Sequence, residues 1–176
     1  MVDKPIEKEK PNFKPTGLLA AETNKVTVGS GANAQNIVLK YHEPSEARKP
    51  SSSDRWMLYI FKGKDQDPVS TIELFTRSCW LLGRELAVAD IPVEHPSCSK
   101  QHAVFQFRYT VKKNEWGESK GKVGLYLLDL ESSNGTMLNG KKVEAARYVQ
   151  CLDGDVVKFG DSEREYVLVL PPKGEK

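Results

Sequence analysis

Cysteine is scarce in this sequence: Cys79, Cys98 and Cys151 are the three that occur, and they lie far apart. An odd number of widely spaced cysteines argues against a disulfide framework, and none belongs to a paired zinc-binding pattern. We therefore expect a chain suited to a reducing compartment, with no bound metal and no other cofactor.

Long apolar runs and a strong excess of one charge are also missing. No stretch approaches the roughly 20 apolar residues of a membrane-spanning helix, and the charged residues 1–5 do not resemble a signal peptide. We expect a soluble intracellular protein with no membrane contact. The net charge of +2 is too small for a protein that coats nucleic acid, so any recognition of phosphate must be local.

The sequence also lacks a sustained helical period, and its pattern of apolar residues is typical of an all-β fold. From Trp56 onward, short apolar runs alternate with turn residues, a pattern that predicts a β-sandwich of two antiparallel sheets. Residues 125–130 are apolar on both parities, which indicates a central strand buried on both sides. Further strands are predicted at 56–61, 69–74, 78–82, from Val104, and at 156–159 and 166–170.

The domain organisation follows from where these runs begin and end. Residues 1–53 are punctuated by proline, glycine and serine, so we predict an extended, partly disordered arm. The β-domain is predicted over 54–171 and a disordered tail over 172–176. Within the arm, residues 37–41 indicate either a β-strand or an extended brace against the domain.

An apolar island lies near residues 10–24 of the arm, where Phe13, Leu18 and Leu19 stand in polar surroundings. Such an island can bind a partner by ordering on contact. It can equally fold back onto its own domain, and composition does not decide between the two.

Three separated motifs carry groups that suit an anion: Gly83-Arg84, Ser99-Lys100 and Ser133-Asn134-Gly135. The arginine guanidinium presents a planar fork that matches phosphate or carboxylate oxygens, and hydroxyl and amide groups can complete the shell. Asparagine and glycine at 134–135 also favour a turn with positive φ.

These motifs, in this order, resemble those of forkhead-associated (FHA) domains, which are phosphothreonine-binding β-sandwiches. The likeness is closer still to the group of the Smad nuclear-interacting protein, Dawdle and the pre-mRNA leakage protein, through residues 89–92, 95–106 and 158–160. It extends over roughly the last two thirds of the chain.

The resemblance implies a role for each motif. Arg84 would be the main phosphate ligand, the Ser99 hydroxyl would bind the same phosphate, and Lys100 would add backbone N–H and positive charge. Ser133 and Asn134 would contact the phosphothreonine region and the bound peptide backbone.

Three further residues would have structural roles in the binding loops. The resemblance implies that His102 ties the loops together, Gly83 indicates either positive φ or a close backbone approach, and Gly135 completes its turn. Ser97 departs from some FHA domains, in which an arginine at this place helps to read an acidic residue of the peptide. Residues 85–94 and the turn near 141–142 would then set selectivity.

A catalytic interpretation of Ser99 with His102 is weak, because no third group and no nucleophile elbow accompany them. We expect no enzyme activity and no catalytic residue. Cys98, beside Lys100, could have a lowered pKa, but a packed side chain fits its small size better.

The function that this sequence favours is a phosphothreonine-binding adapter in a nuclear pre-mRNA retention and splicing complex. By resemblance, the arm would dock on an RNA-recognition-motif subunit, with the chain a monomer inside a hetero-complex. The alternative is a regulatory subunit of a nuclear protein phosphatase, although 25–28 lacks the aromatic that would end its docking motif. Sequence-specific nucleic acid binding is not expected, because no aromatic platform is visible among the scattered lysines.

Overall fold

The computed structural model describes residues 25–173, and its regular structure is almost entirely β. The strands are β1 (Lys25–Val28), β2 (Gln35–Val38), β3 (Met57–Lys62), β4 (Ser70–Glu73), β5 (Cys79–Gly83), β6 (Ile91–Pro92), β7 (Ala103–Lys113), β8 (Ser119–Asp129), β9 (Thr136–Leu138), β10 (Lys141–Lys142), β11 (Tyr148–Gln150), β12 (Val156–Phe159) and β13 (Arg164–Val169). Short 3-10 turns occur at Gly31–Asn33 and Leu74–Thr76. Over this range, no helix is long and apolar enough to cross a membrane.

The chain divides into two compact units, and the first ends at Lys40. Its described part is an antiparallel hairpin in which β1 pairs with β2. The Thr27 hydroxyl donates a hydrogen bond to the Asn36 side chain, 2.9 Å away across the two strands. A strand around 37–41 was one of the two predicted possibilities, whereas β1 was not predicted, because its four residues stand between glycine-rich and polar segments.

The second unit begins at Tyr41 and contains two sheets. One has the strand order β10-β9-β12-β13-β3-β4 and the other β11-β8-β7-β5-β6. The predicted all-β sandwich is confirmed, although the short pair β5 and β6 is parallel. Asn139 and Gly140, both with positive φ, form the turn between β9 and β10.

The core lies between the inner faces of the two sheets. Alternate residues of β3 and β13 on one side meet alternate residues of β7 and β8 on the other, because side chains along a strand point to opposite faces. The fully buried members include Leu58, Phe105, Phe107, Leu127 and Tyr166. Burying each such side chain is worth about 1.5–3 kcal/mol, so this interface stabilises the framework that holds the loops at its edge.

The second half of β8, residues 125–129, is buried on both faces, as predicted for this run. Leu125 and Leu127 enter the core, whereas Tyr126 faces the opposite side of the sheet. On that side the Tyr41 hydroxyl donates to the Gln106 side chain at 2.8 Å and lies 2.7 Å from the Tyr148 hydroxyl. Residues 41–48 therefore cover the outer face of this sheet.

An ion pair holds the same segment farther along. Arg108 lies 2.7 Å from the Glu46 carboxylate, and its hydrogen bonds lower the pKa of that carboxyl. Ala47 forms a β-bridge with Arg108. The predicted arm, residues 1–53, thus ends in a segment that packs on the β-domain, so ordered structure starts well before residue 54.

Candidate functional site

The three motifs meet beyond one end of the strands of the second sheet. Strand β5 ends where β7 begins, with Leu82 opposite Ala103, and β8 ends there as well, with Asp129 opposite Ala103. Antiparallel neighbours bring the end of one strand beside the start of the next. The loops after β5, before β7 and after β8 are therefore adjacent, although their residues are far apart in the sequence.

Gly83 allows two of these loops to approach each other. A Cβ atom at this position would lie 2.0 Å from the Lys100 carbonyl oxygen, which is shorter than any real contact. The backbone N–H groups of Arg84 and Glu85 donate to the Ser99 and Lys100 carbonyls, both at 3.1 Å. Of the two explanations left open by the sequence, close approach is therefore correct, since Gly83 does not have positive φ.

Arg84 is exposed directly beyond this contact. Its Nε donates to the Cys98 carbonyl at 3.0 Å, which fixes the guanidinium over the loop and leaves its terminal nitrogens available. Lys100 is exposed on the same loop. Neither cation has an ion-pair partner within residues 25–173.

Hydrogen bonds connect the Ser99 loop to the 132–136 turn. The Ser99 hydroxyl oxygen accepts from the Ser133 N–H at 3.0 Å, so its own proton remains available to donate to a ligand. The Asn134 amide donates to the Ser97 carbonyl at 2.6 Å. Its second N–H and its oxygen remain available for a peptide backbone.

His102 joins the two loops from below. The imidazole is fully buried, its Nδ1 accepts from the Ser99 N–H at 3.0 Å, and its Nε2 lies 2.9 Å from the Gly135 carbonyl. Because Nδ1 is an acceptor and a carbonyl can only accept, the proton is on Nε2. A ring whose nitrogens are both engaged with backbone groups positions the loops and is not a free base for Ser99.

Gly135 adopts φ +81, a conformation that favours glycine. A Cβ atom here would also lie 2.5 Å from the Lys142 side chain, which therefore passes over the turn. The sequence analysis placed the 141–142 turn among the selectivity elements, and the structure brings Lys142 to the edge of the site.

Asp129 is a site residue that sequence reasoning missed. This carboxylate is buried and accepts from the Thr136 hydroxyl at 2.6 Å, the Ser132 hydroxyl at 2.6 Å and the Ser132 N–H at 3.0 Å. It shapes the turn that carries Ser133 and Asn134. The signal was an aspartate three residues before a serine, a pattern in which the side chain bonds nearby backbone.

Ser97 is likewise engaged within the fold. Its hydroxyl oxygen accepts from the Asp161 N–H at 2.8 Å and lies 2.6 Å from the His95 Nδ1. The serine thus fixes the loop to the turn after β12. A side chain with this role does not extend toward a ligand.

Cys98 is buried, and its thiol approaches the Phe159 carbonyl at 3.5 Å. Burial raises the pKa of this thiol, so the lowered pKa considered from sequence is not found. In the part of the chain that the structure describes, no group of three His, Cys, Asp or Glu residues could hold a metal. The predicted partner-binding residues Phe13, Leu18 and Leu19 lie outside the described residues.

Comparison with known proteins identifies relatives of the whole β-domain. Residues 80–160 match the FHA domain family. The chain is 46% identical over 162 residues to Smad nuclear-interacting protein 1 of Mus musculus. That alignment covers 92% of this chain and 39% of the mouse protein. It is 34% identical over 189 residues to Pre-mRNA leakage protein 1 (Pml1) of Saccharomyces cerevisiae, with 91% and 84% covered.

A solved structure of the yeast Pml1 splicing factor, which describes its integration into the RES complex, has a TM-score of 0.61 with this chain at 34% identity. The match covers 75% of this chain and 97% of the yeast one. A probable serine/threonine-protein kinase of Dictyostelium discoideum is 47% identical over 95% of this chain. The chain spans 12% of that kinase and 39% of the mouse protein, so it corresponds to a small part of these two relatives.

Proposed function

This chain belongs to the FHA-domain family, in the group that includes Pml1 and Smad nuclear-interacting protein 1, and from that membership we propose that it is a phosphothreonine-dependent adapter. FHA domains and relatives such as Pml1 are interaction modules, so the proposed activity is binding without catalysis.

The observation that carries this proposal is a pair of cations on the adjacent loops, Arg84 and Lys100, that have no ion-pair partner within residues 25–173. Both side chains are exposed, on two loops that are joined by backbone hydrogen bonds. A phosphate monoester carries about −1.5 to −2 charge at neutral pH, which two cations would balance.

Each residue has a distinct part in the proposed complex. Arg84 binds the phosphate with the guanidinium nitrogens that its Cys98 contact leaves available, and the Ser99 hydroxyl donates to the same phosphate. Lys100 adds charge. Ser133 and Asn134 hold the peptide backbone, while Gly83, His102 and Gly135 keep the loops in position.

Binding that depends on the phosphothreonine is the expected result when a peptide library is titrated against the full chain by fluorescence anisotropy. Unphosphorylated peptides lack the charge that Arg84 and Lys100 would balance and should not bind measurably. Phosphoserine peptides should bind more weakly, by about 1–3 kcal/mol for one missing methyl group. Equal binding of phosphorylated and unphosphorylated peptides would contradict the proposal.

The assembly in which the adapter acts is proposed from its relatives. Yeast Pml1 is a splicing factor integrated into the RES complex. We propose that this chain is a nuclear, monomeric subunit of a similar retention and splicing complex, in which the arm docks on an RNA-recognition-motif subunit and residues 54–171 bind the phosphorylated protein. The division into a docking arm, an FHA domain and a short tail at 172–176 is part of this proposal.

Loss of partner capture is expected when Phe13, Leu18 and Leu19 are all replaced by alanine in the full chain. Each buried apolar side chain is worth about 1.5–3 kcal/mol, so three replacements should weaken capture more than a hundredfold. Affinity purification from nuclear extract followed by mass spectrometry measures this.

The matched control replaces Lys10, Lys14 and Thr16 by alanine in the same segment and should leave capture unchanged. Equal capture by both triple variants would show that the arm is not the anchor. Phosphatase subunits in place of splicing proteins among the captured partners would favour the regulatory-subunit alternative.

A further inference from the structure

Strands β7 and β8 continue beyond the sandwich as a two-stranded ribbon. Their pairing runs from Ala103 opposite Asp129 to Lys113 opposite Ser119. Strand β5 accompanies β7 only as far as Gln106, and residues 111–122 are all exposed. Both faces of the ribbon are therefore exposed to solvent and take no part in the core.

The strand register gathers lysines on one of these faces. Lys112 lies opposite Lys120, and Thr110 lies opposite Lys122. Directly opposed side chains, and those two residues apart, share one face of a sheet. Like charges directly opposite one another destabilise a strand pair, yet none of these three lysines has an ion-pair partner in residues 25–173. An arrangement that costs stability is suited to an anionic ligand.

The same lysines line a cleft of about 440 Å³. Lys173 joins them from the C-terminal end and Asp54 from the segment before β3, where the two form an ion pair at 3.1 Å. With four lysines and one aspartate, the lining carries a net charge of +3. Thr110 and Gln150 add neutral hydrogen-bonding groups.

An aromatic side chain, which the sequence analysis did not identify among the scattered lysines, is exposed at the end of the ribbon. Trp116 is 85% exposed, yet its turn is ordered, because the Asn114 side-chain oxygen accepts from the N–H groups of Trp116 and Glu118 at 3.0 and 2.9 Å. Basic groups together with an exposed aromatic are the elements that bind single-stranded nucleic acids, in which phosphates meet lysines and a base stacks on the ring. An acidic peptide would use the lysines but not the ring.

We propose that the ribbon, through Lys112, Lys120, Lys122 and Trp116, binds the phosphodiester backbone of a single-stranded nucleic acid without reading its sequence. Lys112 is about 30 Å along β7 from Ala103, at about 3.3 Å per residue, so the ribbon site is separate from the Arg84 loops. One chain can then hold a phosphorylated protein at one end and a nucleic acid strand at the other.

The test measures anisotropy of fluorescein-labelled oligouridine and oligothymidine, each about 12 nucleotides long, with the full chain between about 50 and 200 mM salt. Replacing Lys112, Lys120 and Lys122 by glutamine should weaken binding at least tenfold and reduce the slope of log K against log salt by about 2, at about 0.7 per phosphate contact. Trp116→Ala should weaken binding about tenfold without changing that slope.

The matched control replaces Lys49, Lys62 and Lys64, which are exposed elsewhere, by glutamine and removes the same charge. It should leave the salt slope unchanged, and both triple variants should keep phosphopeptide binding and thermal unfolding. Equal affinity for the two oligonucleotides assigns recognition to the shared backbone, whereas tighter binding of oligouridine adds a contact to the ribose hydroxyl; both support the proposal. No binding by the unmodified chain, equal loss in both triple variants, or displacement by polyglutamate at equal charge would overturn it.

Discussion

Arg84→Ala is expected to reduce binding of a phosphothreonine peptide to near the limit of detection. Removing one partner of a desolvated charge pair costs about 2–5 kcal/mol, whereas a ligand of micromolar affinity has only about 8 kcal/mol in total. The fold should survive, because Arg84 is exposed and its only side-chain hydrogen bond within residues 25–173 goes to the Cys98 carbonyl. Calorimetric titration against the unmodified chain measures the loss.

Two further variants serve as the comparison and the control for this result. Ser99→Ala should cost less, since it removes a neutral hydroxyl, although the Ser133 N–H also loses its acceptor. Arg48→Ala removes another exposed arginine whose guanidinium donates to backbone carbonyls, those of Ser45 and Ala47, and it should bind like the unmodified chain. Unchanged affinity of Arg84→Ala would mean that the three loops do not recognise phosphate.

Gly83→Ala is expected to destabilise the domain and abolish binding together. The new methyl group would lie 2.0 Å from the Lys100 carbonyl oxygen, and both groups are backbone-anchored, so the contact can be relieved only by separating the loops. Overpacking of this kind costs about 1–3 kcal/mol and occasionally more, and a backbone contact this short belongs at the upper end. Chemical denaturation followed by circular dichroism gives the free energy of unfolding.

Gly63→Ala is the control for the general effect of replacing a glycine. That residue has φ +59 but open space around the added methyl group, so only the backbone conformation is strained, at about 1 kcal/mol. It should keep phosphopeptide binding. If Gly83→Ala proves as stable as Gly63→Ala and still binds, the loops do not need the close approach that the structure places there.

The two replacements at the site separate recognition from architecture. Arg84→Ala should lose binding at unchanged stability, because the arginine reaches into solvent. Gly83→Ala should lose both, because the same loop contact positions Arg84 and connects the end of β5 to the Ser99 loop. A site made of three loops depends on both kinds of residue.

The sheets were largely predictable because their strands carry local signals. The double-sided apolar run at 125–130 indicated a central strand, and residues 125–129 of β8 are buried on both faces. Strands β6, β9, β10 and β11 were not predicted, since two or three residues are too few to show a period of two. Their positions are set by pairing with longer strands.

The motif residues were visible in the sequence because their side-chain chemistry is distinctive. The structural roles of several residues at the site were not visible. Whether Gly83 needed positive φ or close approach depended on the position of Lys100 in another loop. Asp129 gave only a weak turn signal, and its three hydrogen bonds appear once the turn is folded around it.

The sequence by itself determined the all-β class, the order of the three loop motifs and the resemblance to the FHA family, because these rest on residue types and on short-range patterns. The tertiary structure alone decided what covers the outer face of β8, where residues 41–48 lie, and which lysines form a cluster. The physical reason is that strand register brings distant residues together. Lys112 and Lys120 are eight positions apart in the sequence, separated by a polar turn, and become direct neighbours only when β7 and β8 pair.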